Sequence, residues 1–203
     1  MENEKQVRKP KQSRSRETKE KILSAAFCLF REKGYYEVTT NEIAKEAGVS
    51  IGSLYSYYKD KDSVFLDVLE EYHRAFSETY RSIEREIEEY LDRPKEWVSR
   101  FLKAMVRVHR EFRQLNLELK ALRDVNPQIA ARVEKEETTA QAEMLFYFKK
   151  YPMTVKTEDP EAAVAVTFHM IDAIVDLVVF DSSMDEERIL RAGTEAVYKF
   201  LMT

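Results

Sequence analysis

Apolar residues recur at spacings of three and four along most of this chain, and that period predicts helices nearly throughout. Ile22, Ala26, Leu29 and Phe30 share one face of a first helix from about Arg16 to Lys33, closed by Gly34. Tyr35 and Tyr36 fill the turn that follows. Phe65, Val68, Leu69, Tyr72, Phe76, Tyr80, Ile83, Ile87 and Tyr90 give the longest periodic signal. If continuous to Leu91, that helix is about 45 Å long, and Asp92-Arg93-Pro94 ends it. Further helices are predicted over about Pro94 to Arg113, Leu115 to Asp124, Pro127 to Tyr151, Pro160 to Phe180 and from Asp185 onward. Asn126-Pro127 and Asp159-Pro160 read as N-caps with proline in the first turn. The expected class is all-α, with about nine helices.

The stretch Thr39 to Lys61, TTNEIAKEAGVSIGSLYSYYKDK, holds the most specific signal. Thr39 followed three residues later by Glu42 forms a capping box. Ile43, Ala44 and Ala47 supply an inner face, and Gly48 ends the helix. Val49 is placed to plug the core, and Ser50 caps a second helix, Ile51 to Tyr58. Two short helices joined by a glycine turn are the sequence form of a helix-turn-helix. On the second helix Leu54 and Tyr58 face inward, leaving Ile51, Ser53, Tyr55 and Tyr57 outward. Such a surface suits the methyl groups, sugars and phosphates of a DNA groove; a helical hairpin with tyrosine as core filler is the plainer reading.

Charge sharpens this picture. The net charge of −4 divides unevenly: residues 1–62 carry 13 Lys and Arg against 10 Asp and Glu, the remainder 20 against 27. A cationic reading end on an acidic body orients a molecule toward phosphate. Six of those cations fall in residues 1–16, expected to be a flexible basic arm that either touches DNA or only solubilises. Domain boundaries are expected at 17–62 for a DNA-binding unit and 63–203 for a larger helical unit.

Composition adds less. The 44% hydrophobic content suffices for a core, and 4 Gly with 5 Pro leave little room for hairpins. A single cysteine, Cys28, with no visible signal peptide suggests a cytoplasmic setting. Ala162 to Phe180 is the most apolar stretch, but His169, Asp172 and Asp176 interrupt it. A buried helix is expected there, not a membrane span.

No nucleophile elbow, phosphate-cradling glycine loop or metal-ligand signature is present, so no catalytic residue, cofactor or metal is assigned. Trp97, Phe101, Met105, His109 and Phe112 share a helical face, and His109 is a candidate for a ligand cavity. His73 is expected as a packed edge residue. His169, Asp172 and Asp176 also share a face, open to three readings: a cavity wall, a dimer contact or an incomplete metal half-site.

The run EIAKEAGVSIGSLYSYYKDKDSVF, with ETKEKILSAAFCLFREKGYYEVTT before it, resembles the DNA-binding signature of the tetracycline repressor (TetR) family over roughly residues 17 to 70. The resemblance implies a transcriptional regulator, and not an enzyme, whose last two long helices pair with their copies in a homodimer. It also implies phosphate contacts by Thr40, Tyr55, Tyr57 and Lys61. The family often has His where Tyr57 stands, and Arg where Asn41 stands. Ser50 and Ser53 complete the reading surface. Ile51 and Tyr55 suit thymine methyls and Asn41 suits adenine, so an A·T-leaning palindromic operator is expected.

The leading expectation is therefore a ligand-released homodimeric repressor of double-stranded operator DNA. A small apolar, aromatic or cationic effector is expected to sit among Tyr72, Phe76, Trp97, Phe101, Met105, His109 and Phe148, with His169 and Asp172 as further candidates. The alternative is a DNA-bound helical interaction or scaffolding protein without a small-molecule effector. An enclosed cavity with convergent aromatics separates the two.

Overall fold

The computed structural model describes residues 11–151, 156–181 and 183–202. Nine α-helices and one short 3-10 turn make up the regular structure of the described residues: α1 Lys11–Lys33, α2 Thr40–Glu46, α3 Ile51–Tyr55, α4 Lys61–Glu84, the turn Ile87–Tyr90, α5 Pro94–Glu111, α6 Arg113–Val125, α7 Pro127–Lys150, α8 Pro160–Phe180 and α9 Glu186–Met202. The chain is all-α. It divides into two compact units, Met1–Glu71 and Tyr72–Thr203, and α4 runs from one into the other.

Local chemistry accounts for the first unit. Thr39 Oγ1 accepts from the Glu42 amide at 3.2 Å while the Glu42 carboxylate accepts from the Thr39 amide at 2.9 Å, so the capping box is complete. Gly48 closes α2 at φ +65°, with its amide on Lys45 O and the Val49 amide on Ala44 O, which is a Schellman ending. Ser50 Oγ then accepts from the Ser53 amide at 3.1 Å. Asp60 and Ser63 cap α4 reciprocally. The core holds Ile22, Phe30, Val38, Ile43, Leu54, Val64 and Phe65, all fully buried. Phe65 meets Phe30 and Tyr35 edge-on, at ring centroid distances of 5.2 and 4.9 Å.

Helix ends depart from expectation at three places. α1 begins at Lys11, not Arg16, so the last part of the expected arm is helical; nothing between Lys11 and Arg16 breaks a helix. Residues 1–10 of that arm lie outside the described residues. α4 stops at Glu84, short of Leu91, where the backbone tightens and Glu86 N bonds Ile83 O. Glu86, Glu88 and Glu89 crowd a C-terminus whose dipole disfavours negative charge, and Arg100 takes up Glu86. α3 is likewise shorter than Ile51–Tyr58.

In the second unit α5 packs on both α8 and α9, and α7 packs on α6 and α8. α5 buries Val98, Phe101, Leu102, Met105 and Val106. α8 is long and apolar enough to cross a membrane by composition, but it lies against α5, α7 and α9. Gly193 allows α9 to approach α8 closely: a Cβ there would sit 2.7 Å from Ile174 Cγ2.

Candidate DNA-reading surface and ligand cavity

The capped helices α2 and α3 fix one candidate surface. Leu54 and Tyr58 point into the core, whereas Ile51 and Tyr55 remain 38% and 51% accessible. Asn41 and Ser50 are exposed; Thr40, Ser53 and Tyr57 are partly so. Thr40 Oγ1 lies 3.0 Å from Tyr55 OH, and Tyr57 OH donates to Ser15 Oγ at 3.2 Å. α2, α3 and the start of α1 thus present hydroxyls together with an apolar and aromatic patch.

Lys61, expected to contact phosphate, is also engaged within the fold. Its ammonium donates to Tyr35 O at 2.9 Å and Val38 O at 3.0 Å, and sits 4.0 Å from the centre of the Tyr35 ring. It clamps the α1–α2 turn. Burial, helped by the neighbouring Asp62 carboxylate, raises the Tyr35 phenol pKa, so the ring stays neutral.

The second unit contains a cavity of about 370 Å³, within the size range of small-ligand sites. Tyr72, Phe76, Phe101, Met105, His109, His169 and Asp172 line it. Phe76 and His109 meet edge-on at 4.7 Å, and Tyr72 lies 4.7 Å from Phe76. A smaller chamber of about 50 Å³ holds the other two candidates, Trp97 and Phe148. Tyr80, Phe101, Met144 and Ile171 line both spaces and form the partition. The aromatic residues expected around one ligand are therefore shared between two adjoining spaces.

Several lining groups escape the sequence reading. Asn116 accepts from Tyr72 OH and donates to His109 O at 3.2 Å, tying α4 to α5 through α6. His73 is not merely a packed edge: it lines the larger cavity, and its buried Nε2 has no hydrogen-bond partner among the described residues. Burial, reinforced by Arg132, lowers its pKa to about 4. Burial also lowers the pKa of His109, whose Nδ1 bonds Met105 O at 2.8 Å. Both imidazoles are thus neutral near pH 7.

Acidic groups dominate the cavity's charge. Glu137 is bound by Arg123 at 2.7 Å, Glu143 by Arg81 at 3.3 Å, and Asp176 by Lys120. Asp172 has no hydrogen bond or ion pair among the described residues, and burial followed by the Asp176 charge raises its pKa. Much of its surface still opens to the cavity. His169 is exposed and lines the same space. No group of three His, Cys, Asp or Glu among the described residues is arranged to hold a metal ion.

Comparison with known proteins follows the same division. Residues 22–68 match the family model of bacterial regulatory proteins, tetR family. Over 73 residues, 36% of this chain and 30% of the relative, the sequence is 42% identical to the HTH-type transcriptional regulator HbdR of Aromatoleum sp.. It is 41% identical to the HTH-type transcriptional regulator AcrR of Shigella flexneri over 64 residues, 32% of this chain and 29% of the relative. These matches span less than a third of the relatives' own length. A TetR-family transcriptional regulator from Mesorhizobium loti shares the fold over 92% of this chain and 96% of its own, with a TM-score of 0.71 at 21% identity. The helix-turn-helix segment is thus that of the tetR family of bacterial regulatory proteins, and the whole chain shares its fold with a TetR-family transcriptional regulator.

Proposed function

We propose that this protein is a homodimeric repressor that binds a palindromic operator in double-stranded DNA and is released by a small-molecule effector. The observation that carries the DNA-binding reading is the pair of accessible apolar and aromatic residues on α3, Ile51 and Tyr55, flanked by hydroxyls and held on capped helices. Asn41, Ser50, Ile51, Ser53 and Tyr55 read an A·T-leaning site, and Thr40, Tyr55 and Tyr57 hold phosphates. Lys61 positions the turn beside them. A cytoplasmic protein with access to the chromosome fits this role.

Dimerisation is assigned to α8 and α9. Ala162, Val166, His169, Ala173 and Leu177 form an exposed stripe on α8, and Ala192, Ala196 and Phe200 form one on α9. Apart from His169 these stripes are apolar and require cover, and a second copy of the same pair supplies it. Two reading heads in a dimer meet successive major grooves when they sit roughly 34–36 Å, or a multiple, apart.

The cavity supports release by a ligand over the scaffolding alternative. Tyr72, Phe76 and Tyr80 on α4 all face it, and α4 continues without a break from Lys61. A ligand that favours one position of α4 then opposes operator binding reciprocally, with a coupling of about 1–3 kcal/mol. A gel shift on the DNA upstream of its own gene, repeated across a panel of apolar, aromatic and cationic compounds, tests both halves. No shift on any such DNA sinks the regulator; a complex that no compound releases leaves the scaffold.

A further inference from the structure

Two sets of unsatisfied groups lie on either side of the Phe101 and Met144 partition, and together they define an effector's chemistry. In the larger cavity the Asp172 carboxyl stands without an ion-pair partner among the described residues, while Glu137, Glu143 and Asp176 each have one. Around it are Tyr72, Phe76 and His109. A carboxylate beside aromatic faces attracts an organic cation: the charge is neutralised and the rings offer their negative faces. Asp172 opens to the cavity, so its carboxylate is accessible to a ligand that brings the missing positive charge.

The smaller chamber asks for something else. Its walls are apolar apart from a few groups, and two of those are buried donors with no acceptor among the described residues, Trp97 Nε1 and Thr167 Oγ1. The Trp indole N–H only donates, and a Thr hydroxyl donates when offered a lone pair. An apolar tail that carries an oxygen acceptor satisfies them; a hydrocarbon tail leaves both unmade. Met144, unbranched and adaptable, is shared by both chambers and can yield to a connecting chain.

We infer that the effector is a small organic cation joined by a short apolar linker to a carbonyl or ether oxygen, with its cationic head on Asp172 and its oxygen in the chamber of Trp97 and Thr167. This rests on the ligand-released reading above, but its test is binding to the free protein and needs no DNA.

Butyrylcholine, its neutral carbon isostere 3,3-dimethylbutyl butyrate, and heptyltrimethylammonium, which has the charge but no oxygen, are the probes. Calorimetry gives affinities, and the emission of the chain's single tryptophan, Trp97, reports the small chamber. Butyrylcholine is expected to bind at least tenfold more tightly than the neutral isostere. Asp172→Asn abolishes that difference and Asp172→Glu restores it. Thr167→Val weakens butyrylcholine severalfold more than heptyltrimethylammonium, and only butyrylcholine shifts Trp97 emission. Equal affinity of charged and neutral probes, an Asp172→Asn protein that keeps full cation binding, or no binding of any probe at millimolar concentration overturns the inference. Equal losses for both cations in Thr167→Val overturn its acceptor half. A protein that fails these tests yet releases its operator with another compound remains a ligand-controlled regulator.

Discussion

The hydroxyls of Thr40 and Tyr55 lie 3.0 Å apart, joining the first residue of α2 to the last residue of α3. The pair is exposed, so it contributes little to folding, but it fixes the angle at which Tyr55 leaves the surface. Tyr55→Phe is expected to cost less than about 1 kcal/mol of stability. Operator affinity, measured by fluorescence anisotropy, should fall severalfold because both a phosphate donor and the orientation are lost. Undiminished affinity would remove Tyr55 from the contact surface. A consensus selected from random DNA should lean toward A·T beneath Ile51.

Lys61 has a different signature. Replacing it by Ala frees two turn carbonyls and one aromatic contact, for an expected loss of about 1–3 kcal/mol in urea unfolding. The slope of log affinity against log salt should remain nearly unchanged. A slope lower by about one with full stability would instead make Lys61 a direct phosphate ligand.

His73 links stability to pH. Its folded pKa of about 4 lies below the ordinary 6.5, so between those values the unfolded chain binds the proton more readily. Stability from this group is complete above about pH 6.5 and is lost as pH falls toward 4, by about 3 kcal/mol. Denaturant unfolding at pH 7.5 and pH 5 should show a smaller decline in His73→Gln than in the native protein. Parallel declines would contradict the neutral assignment.

Asn116 is expected to matter twice. Asn116→Ala leaves the Tyr72 hydroxyl and the His109 carbonyl unpaired, at a cost of about 1–3 kcal/mol. It also removes the tie between α4 and α5. Any compound that releases the operator should do so less effectively in this variant, while the free protein still binds DNA. An unaltered response would exclude the Tyr72–Asn116 bond from the coupling.

Val166, 47% accessible on α8, tests the dimer. Val166→Glu places a charge in the stripe that a second copy would cover. Sedimentation should report monomers, and operator affinity should drop at least tenfold. A variant that stays dimeric would move the interface elsewhere.

What the sequence made legible was local. Thr39 with Glu42, Gly48, Ser50, Asn126 with Pro127 and Asp159 with Pro160 each act within four residues of themselves, and each is found as a cap or stop. The partners of Lys61 lie 23 and 26 residues away, on carbonyls that carry no side-chain signal, so its inward turn was not readable. The same distance hid Asn116, whose role exists only once α4, α5 and α6 converge. Aromatic periodicity identified cavity-lining residues, but not the partition that assigns Trp97 and Phe148 to one space and Phe76 and His109 to another. The early end of α4 was hidden because Ile83, Ile87 and Tyr90 keep a helical spacing through the change to a tighter turn.

The close approach of α9 to Ile174 makes two distant positions in the chain behave as one in variation. A methyl group at 193 collides with the branched Cγ2 of Ile174, which cannot swing aside without changing its rotamer. Gly193→Ala is therefore tolerated best where residue 174 has already given up its branch, as in a Gly193→Ala, Ile174→Ala pair. Either exchange alone opens a gap or forces the helices apart, and with them the surface on which two copies would have to agree.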